Sequence, residues 1–312
     1  MQDWLRRLGP NVQGALWLVA GGFIFTSTSA MIRLLSTQIE SVQTAFFRAV
    51  ISLILLLPVI AAGRVKPWES KRIAGHFWRT TMGTVSMVLG FYAVSLLPLA
   101  DATAIAFSQP LFSVVVAALI AGEKVRWRRW SATIVGFAGV LVMVQPGQGS
   151  LQLGALVAVA NAATVAVSIL LVKRLSGTET PLMILTQFAI FSTLLLALPA
   201  IWVWRWPDLF GWMLAVGVAL TATVGQYFWV QAFKAGEMSA VAPFEYLRLP
   251  FAVFVGWLIW SEVPGIWTYV GAAIVIASAL YIAQREAQLA RERRRAAVAA
   301  GEGVKPPESP AP

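Results

Sequence analysis

Ten apolar runs, most of them near or beyond the length of a membrane-crossing helix, limit what this chain can fold into. They cover approximately residues 12–34, 43–62, 77–97, 100–121, 130–145, 153–173, 182–204, 211–233, 238–260 and 266–284. A helix needs roughly 20 apolar residues to cross the hydrocarbon core. The short alternating segments of a transmembrane β-barrel are absent. Composition agrees: 58% of the chain is hydrophobic and 12% is charged, whereas a soluble domain carries about 25% charge. The sequence therefore predicts an all-α integral membrane protein with a multi-pass topology.

Loop charges orient the runs. Counted from a cytoplasmic N-terminus, the inside segments hold 20 of the 24 Lys and Arg residues. The outside segments hold only Arg33 and Arg205, and Arg48 and Arg248 fall within runs. The positive-inside rule then places both termini in the cytoplasm. The net charge of +10 is thereby explained by topology, and no nucleic-acid partner is expected. Arg6 and Arg7 precede the first run without a convincing cleavage site, so that run reads as a retained helix. Trp127, Trp130, Trp202, Trp204, Trp206, Trp212, Trp260 and Trp267 fall near run ends, where an interfacial belt is expected. From about residue 285 the tail turns basic and then rich in Pro, Glu and Ala, as a helix extension giving way to disorder would.

The halves repeat. Gly14-Ala15-Leu16 corresponds to Gly154-Ala155-Leu156, Pro58 to Pro199, and Glu123 to Glu262, at offsets of 139–141 residues. Each half holds five runs, so the second half enters from the opposite side. The expected layout is a cytoplasmic N-terminus (1–11), two inverted five-helix repeats (12–146 and 150–284) and a cytoplasmic tail (285–312). Such folds bind substrate near the midplane, at the repeat interface. Small residues spaced four apart, Gly154, Ala158, Ala162 and Ala166 above all, suit close helix contact.

Several motifs resemble a known family. Arg79, Gly83 and the run Gly90-Phe91-Tyr92-Ala93-Val94-Ser95-Leu96-Leu97-Pro98-Leu99-Ala100-Asp101-Ala102-Thr103-Ala104-Ile105 are similar to helices three and four of EamA-type carriers of the drug/metabolite transporter superfamily. The stretches Pro110 to Glu123, Gly136-Phe137-Ala138-Gly139-Val140 and Pro250 to Glu262 extend the resemblance to nearly the whole chain outside the tail. It implies ten helices, an inverted repeat and movement of a small organic solute across the bacterial cytoplasmic membrane. The Leu-Pro-Leu-Ala-Asp-Ala-Thr segment resembles carriers linked to riboflavin or S-adenosylmethionine uptake. An exporter of amino acids or drugs, as other members of that family are, is the alternative.

Charge inside the runs marks the candidate site. Pro243-Phe244-Glu245-Tyr246-Leu247-Arg248-Leu249-Pro250 sits in an otherwise apolar run. One charge at the bilayer centre costs roughly 2.5–3.5 kcal/mol on insertion scales. Glu245 and Arg248 are three residues apart and share a helix face. Either they form a structural ion pair, with each other or with Arg48, or Arg248 holds an anionic group while Glu245 holds a cationic group or a coupling proton. Arg48 is a site candidate or a residue reaching for the outer interface. Gln109, at the position equivalent to Arg248, together with Tyr92, Tyr227, Trp229 and Tyr246, completes the candidate substrate-binding set; the rings would suit a planar heterocycle. Glu123 and Glu262 end equivalent helices and are assigned to gating or structure. Glu123 is expected to pair with Lys124, Arg126 or Arg128, and Glu262 to cap the helix opening near Pro264.

Other chemistries find little support. The chain has no cysteine and one histidine, His76, so neither a metal site nor a cofactor is expected. No phosphate-binding loop of the Walker type is present. Enzyme chemistry lacks a paired-acid or metal-ligand constellation. An ion channel would be expected to carry a filter loop or a charged ring. Oligomeric state is left open.

Overall fold

A computed structural model describes residues 9–123, 125, 127–145 and 151–299. All secondary structure among them is helical. In chain order the elements are α1 (Pro10–Leu35), α2 (Ser41–Ala61), a 3-10 turn (Pro67–Glu69), α3 (Ile73–Leu96), α4 (Leu99–Ala106), α5 (Gln109–Leu119), α6 (Trp127–Val144), α7 (Leu151–Leu175), α8 (Pro181–Trp202), α9 (Leu209–Ala235), α10 (Met238–Val241), a 3-10 segment (Ala242–Leu247), α11 (Arg248–Trp260) and α12 (Ile266–Ala299). Lys124 and Arg126, expected near Glu123, lie outside the described residues, as do the first eight residues and the tail from residue 300.

Among the described residues, eight spans are long and apolar enough to cross a membrane, with α4 and α5 counted together as one and the 3-10 segment with α11 as another. The chain is a multi-pass membrane protein. The two apolar runs that do not qualify are α3, diluted by His76, Arg79 and several Gly, Thr and Ser residues, and α6, which spends its first turn on Trp127, Arg128, Arg129 and Trp130.

Caps and prolines set the boundaries. The Thr180 side chain accepts a hydrogen bond from the Met183 amide to open α8, with Pro181 at the first helical position. Asp208 opens α9 by accepting from the Gly211 amide at 2.6 Å. That bond, with a second from Gln38, holds the Asp208 carboxyl below the usual carboxylate range, so the cap is ionised at neutral pH. Pro110 and Pro243 stand in the first turns of α5 and of the 3-10 segment, where the missing N–H costs no intrahelical bond.

The helices pair closely through small residues. α1 lies along α9, α3 along α7, α6 along α12 and α2 along α8. The α7 face of Ala155, Ala158, Ala162 and Ala166 is almost fully buried. A methyl group added at Gly14 would collide with Val241 and the Ala232 carbonyl. Gly139 and Gly271 meet where α6 crosses α12, and a side-chain carbon on either would strike the other's carbonyl oxygen. With no hydrophobic drive between helices in lipid, such close approach supplies the contact.

Two spans are broken at corresponding places. The fourth span stops at Ala106 and resumes at Gln109, and the ninth passes through the 3-10 segment and resumes at Arg248. Gln109 and Arg248 are 139 residues apart, and each is the first residue of its second half-helix. The apolar pattern alone read both spans as single runs.

Candidate functional site

A cavity of about 190 Å³ opens beside the two breaks. It takes residues from α1, α2, α3, α4, α7 and α9 and the first residue of α11. Phe25, Thr28, Ser29 and Ile32 come from α1, and Phe91, Ala93 and Val94 from α3. Ala102, Thr103 and Ala106 bring α4 up to its break. Arg48, Asn161, Ala222 and Arg248 complete the polar and facing walls.

Two arginines from distant parts of the sequence thus share one cavity. Arg248 packs beside Gly22 of α1, where a built Cβ would make an ordinary 3.8 Å contact with the Arg248 Cβ. Its Nη2 donates a long 3.5 Å bond to the Ser29 hydroxyl, and its guanidinium carbon lies 5.6 Å from the Phe25 ring centre. Its buried Nε has no hydrogen-bond partner. Arg48 Nη1 approaches the Met87 sulfur at 2.7 Å, and the guanidinium carbon lies 6.0 Å from the Phe91 ring centre. Thr28 is already committed, since its hydroxyl donates to Thr221 across the α1–α9 contact at 2.8 Å.

The other sequence candidates stand elsewhere. Glu245 is exposed, does not line the cavity, and forms no direct ion pair with Arg248 among the described residues; Trp229 hydrogen-bonds its carboxylate. Trp229 also packs edge-on against Phe233, with ring centres 4.7 Å apart. Gln109 donates to Ser113 one turn along its own helix at 2.8 Å. Tyr92 and Tyr227 are exposed on the helix bundle. Tyr246 meets Phe107 ring to ring at 4.9 Å. These two residues are 139 apart, so the breaks touch through equivalent positions.

Glu262 and Glu123 each find a basic partner the sequence did not suggest. Glu262 receives two hydrogen bonds from Arg33, one at 2.6 Å, and the Arg33 guanidinium stacks 4.4 Å from the Trp260 ring centre. Glu123 faces Lys173 at 3.5 Å. Arg33 and Lys173 are separated by 140 residues, Glu123 and Glu262 by 139, so the two pairs correspond. They differ in environment. The Arg33 and Glu262 side chains are 17% and 24% exposed, those of Lys173 and Glu123 74% and 45%. The Arg33 pair is the shorter and better shielded of the two.

Sequence reasoning missed Phe25, Ser29 and Phe91 as cavity residues. Each is an ordinary apolar or small polar residue in a helical run, and only the tertiary arrangement turns it toward an arginine. Asn161 is a polar residue inside the apolar run 153–173, a sequence signal for a group that needs a partner at membrane depth.

Comparison with known proteins follows from this geometry. Residues 12–145 and 152–284 match the sequence profile of the EamA-like transporter family. The riboflavin transporter of Vibrio cholerae is 29% identical over 293 residues, covering 91% of this chain and 97% of that protein. The S-adenosylmethionine uptake transporter of Rickettsia prowazekii is 27% identical over 275 residues, covering 88% and 94%. The pseudopaline exporter of Pseudomonas aeruginosa is 27% identical over 280 residues, covering 87% and 96%. A solved crystal structure aligns with a TM-score of 0.58 at 19% identity, over 88% of this chain and 98% of the other, a likeness of fold alone.

Proposed function

The chain belongs to the EamA-like transporter family, and from that membership we propose that it carries a small organic metabolite across the bacterial cytoplasmic membrane by alternating access. The carrying observation is the cavity at the two broken spans, with Arg48 and Arg248 in its wall. Unwound spans at membrane depth are tolerated where they line a cavity, and carriers place their sites there. Relatives named for riboflavin and S-adenosylmethionine support a vitamin or nucleoside-like solute, with Phe25 and Phe91 available for ring contact.

The proposed cycle uses two inverted five-helix repeats. Its support is the double family match, the constant offset, and the interchange of contacts it implies: α1 against α9 becomes α7 against α3. Arg33–Glu262 and Lys173–Glu123 then act as corresponding closures at opposite faces. The tight first pair and the loose second one describe a conformer shut at the Arg33 face. With both termini in the cytoplasm, that face is the outer one. Glu245, exposed beside Arg248 and held by Trp229, is the candidate site of a coupling proton.

Export is a second reading, favoured by the similarity to the pseudopaline exporter. Proteoliposome flux separates direction, coupling and mechanism. We expect saturable transport that Arg248→Ala and Arg48→Ala reduce at least tenfold, each removing charge-assisted bonds of about 1.5–3 kcal/mol. Undiminished flux in both variants would remove the cavity from the transport path.

A further inference from the structure

We infer that the cavity takes a compact organic anion, bound through a carboxylate or phosphate group held jointly by Arg48 and Arg248. This assignment rests on the carrier reading and adds the charge of the cargo.

The two arginines have more hydrogen-bond donors than the protein satisfies. Each guanidinium carries five N–H donors and cannot be deprotonated in practice. Against these the two guanidinium groups find one hydroxyl at 3.5 Å, from Ser29, and one thioether sulfur, from Met87. A thioether is a weak acceptor, and a 3.5 Å bond is at the limit of a hydrogen bond. Arg248 Nε is buried and bonds nothing. No Asp or Glu is among the lining residues. Glu245 offsets part of the Arg248 charge through space but presents no oxygen to the cavity. Two half-buried cations short of acceptors are costly unless a ligand brings both negative charge and lone pairs.

The rings sharpen the geometry. Phe25 and Phe91 lie 5.6 and 6.0 Å from the two guanidinium carbons and offer them ring faces rather than hydrogen-bond lone pairs. Planar forks of this kind bind carboxylate and phosphate through two parallel bonds. The Asn161 amide lies in the same wall and can add a neutral donor or acceptor for the rest of the molecule. A volume of about 190 Å³ falls below the roughly 300–1,000 Å³ of pockets for drug-sized ligands, so in this conformer the cargo is compact. A permanently cationic solute with no carboxylate or phosphate would meet two like charges there.

The test uses the purified full-length protein in lipid nanodiscs. Thermal stabilisation is titrated with a panel of small carboxylates and phosphate monoesters, each beside its amide or alcohol counterpart. Nicotinate with nicotinamide and riboflavin 5′-phosphate with riboflavin are two such sets, and thiamine, a cation with no carboxylate, serves as the cationic member. At least one anion should bind saturably and about tenfold or more tightly than its neutral counterpart, as expected for charge-assisted bonds. Arg248→Gln and Arg48→Gln should each erase that preference, whereas Arg248→Lys should retain part of it. Equal or tighter binding of neutral or cationic members, preference that survives both Gln variants, or no saturable anion binding would overturn the inference. Flux of the same panel into proteoliposomes separates the two levels. Transport of neutral or cationic members without anion binding sinks the anion assignment and leaves the carrier standing, while absence of flux for every member counts against the carrier itself.

Discussion

Arg33 shows how one residue can change meaning once its partners are known. In the sequence it is one of two basic residues on the face otherwise poor in them. In the structure it clamps Glu262 through both terminal nitrogens and stacks on Trp260. The pair is partly shielded, so screening weakens it less than an exposed pair, whose worth is typically 0–1 kcal/mol. Glu262→Gln should therefore loosen closure at that face. A cysteine placed at Ile32, beside the cavity, should react with a membrane-impermeant thiol reagent about tenfold faster in that background. Lys173→Gln, at the exposed counterpart, should change labelling little. Equal labelling in all backgrounds would mean that Arg33–Glu262 does not gate.

Residues at this scale were only partly legible from the chain. Arg48 and Arg248 stood out because charge inside an apolar run has few explanations. Glu245 stood out for the same reason, yet it is exposed outside the cavity while Arg248 lines it. A 3-10 segment keeps residues three apart on one side, and Glu245 and Arg248 do stand close enough to interact electrostatically. What the spacing does not tell is which of the two reaches the cavity, and only Arg248 lines it. The partners of Glu262 and Glu123 are 229 and 50 residues away, beyond the reach of local pattern.

At the scale of elements, the breaks carry the interest. Proline marked both, Pro110 and Pro243, and apolar composition hid both. Helix pairing was better signalled, because the small-residue face of α7 was readable and is buried as its spacing required. Close contacts also give the clearest stability prediction. Gly271→Val places side-chain carbon against Met143 and the Gly139 carbonyl. It should destabilise the protein by about 2 kcal/mol, as overpacking typically does, and lower the melting temperature in detergent. Gly265→Ala, in open space near the start of the same helix, should leave melting unchanged. A tolerated Gly271→Val would mean that α6 and α12 are not held at that crossing.

For the whole molecule, the all-helical membrane class was fixed by the length of the apolar runs, and the family by motifs spread over most of the chain. The basic loops predict the orientation, and reporter fusions test it: fusions after residues 63 and 176 should report the cytoplasm, and those after residues 37 and 205 the outside. The opposite pattern would reverse the direction assigned to the Arg33–Glu262 closure. What composition could not supply is the cavity, since it is built from seven helices whose lining residues are mostly small or apolar.

The central claim is that the two-arginine cavity is the substrate site of a carrier. Counterflow into proteoliposomes tests it most directly, with vesicles preloaded with the tightest-binding anion and supplied outside with the same anion in labelled form. The account predicts saturable, preload-stimulated uptake that falls at least tenfold in Arg48→Gln and Arg248→Gln proteins of unchanged melting temperature. Uptake that ignores the preload, or persists at full rate in both folded variants, would contradict it.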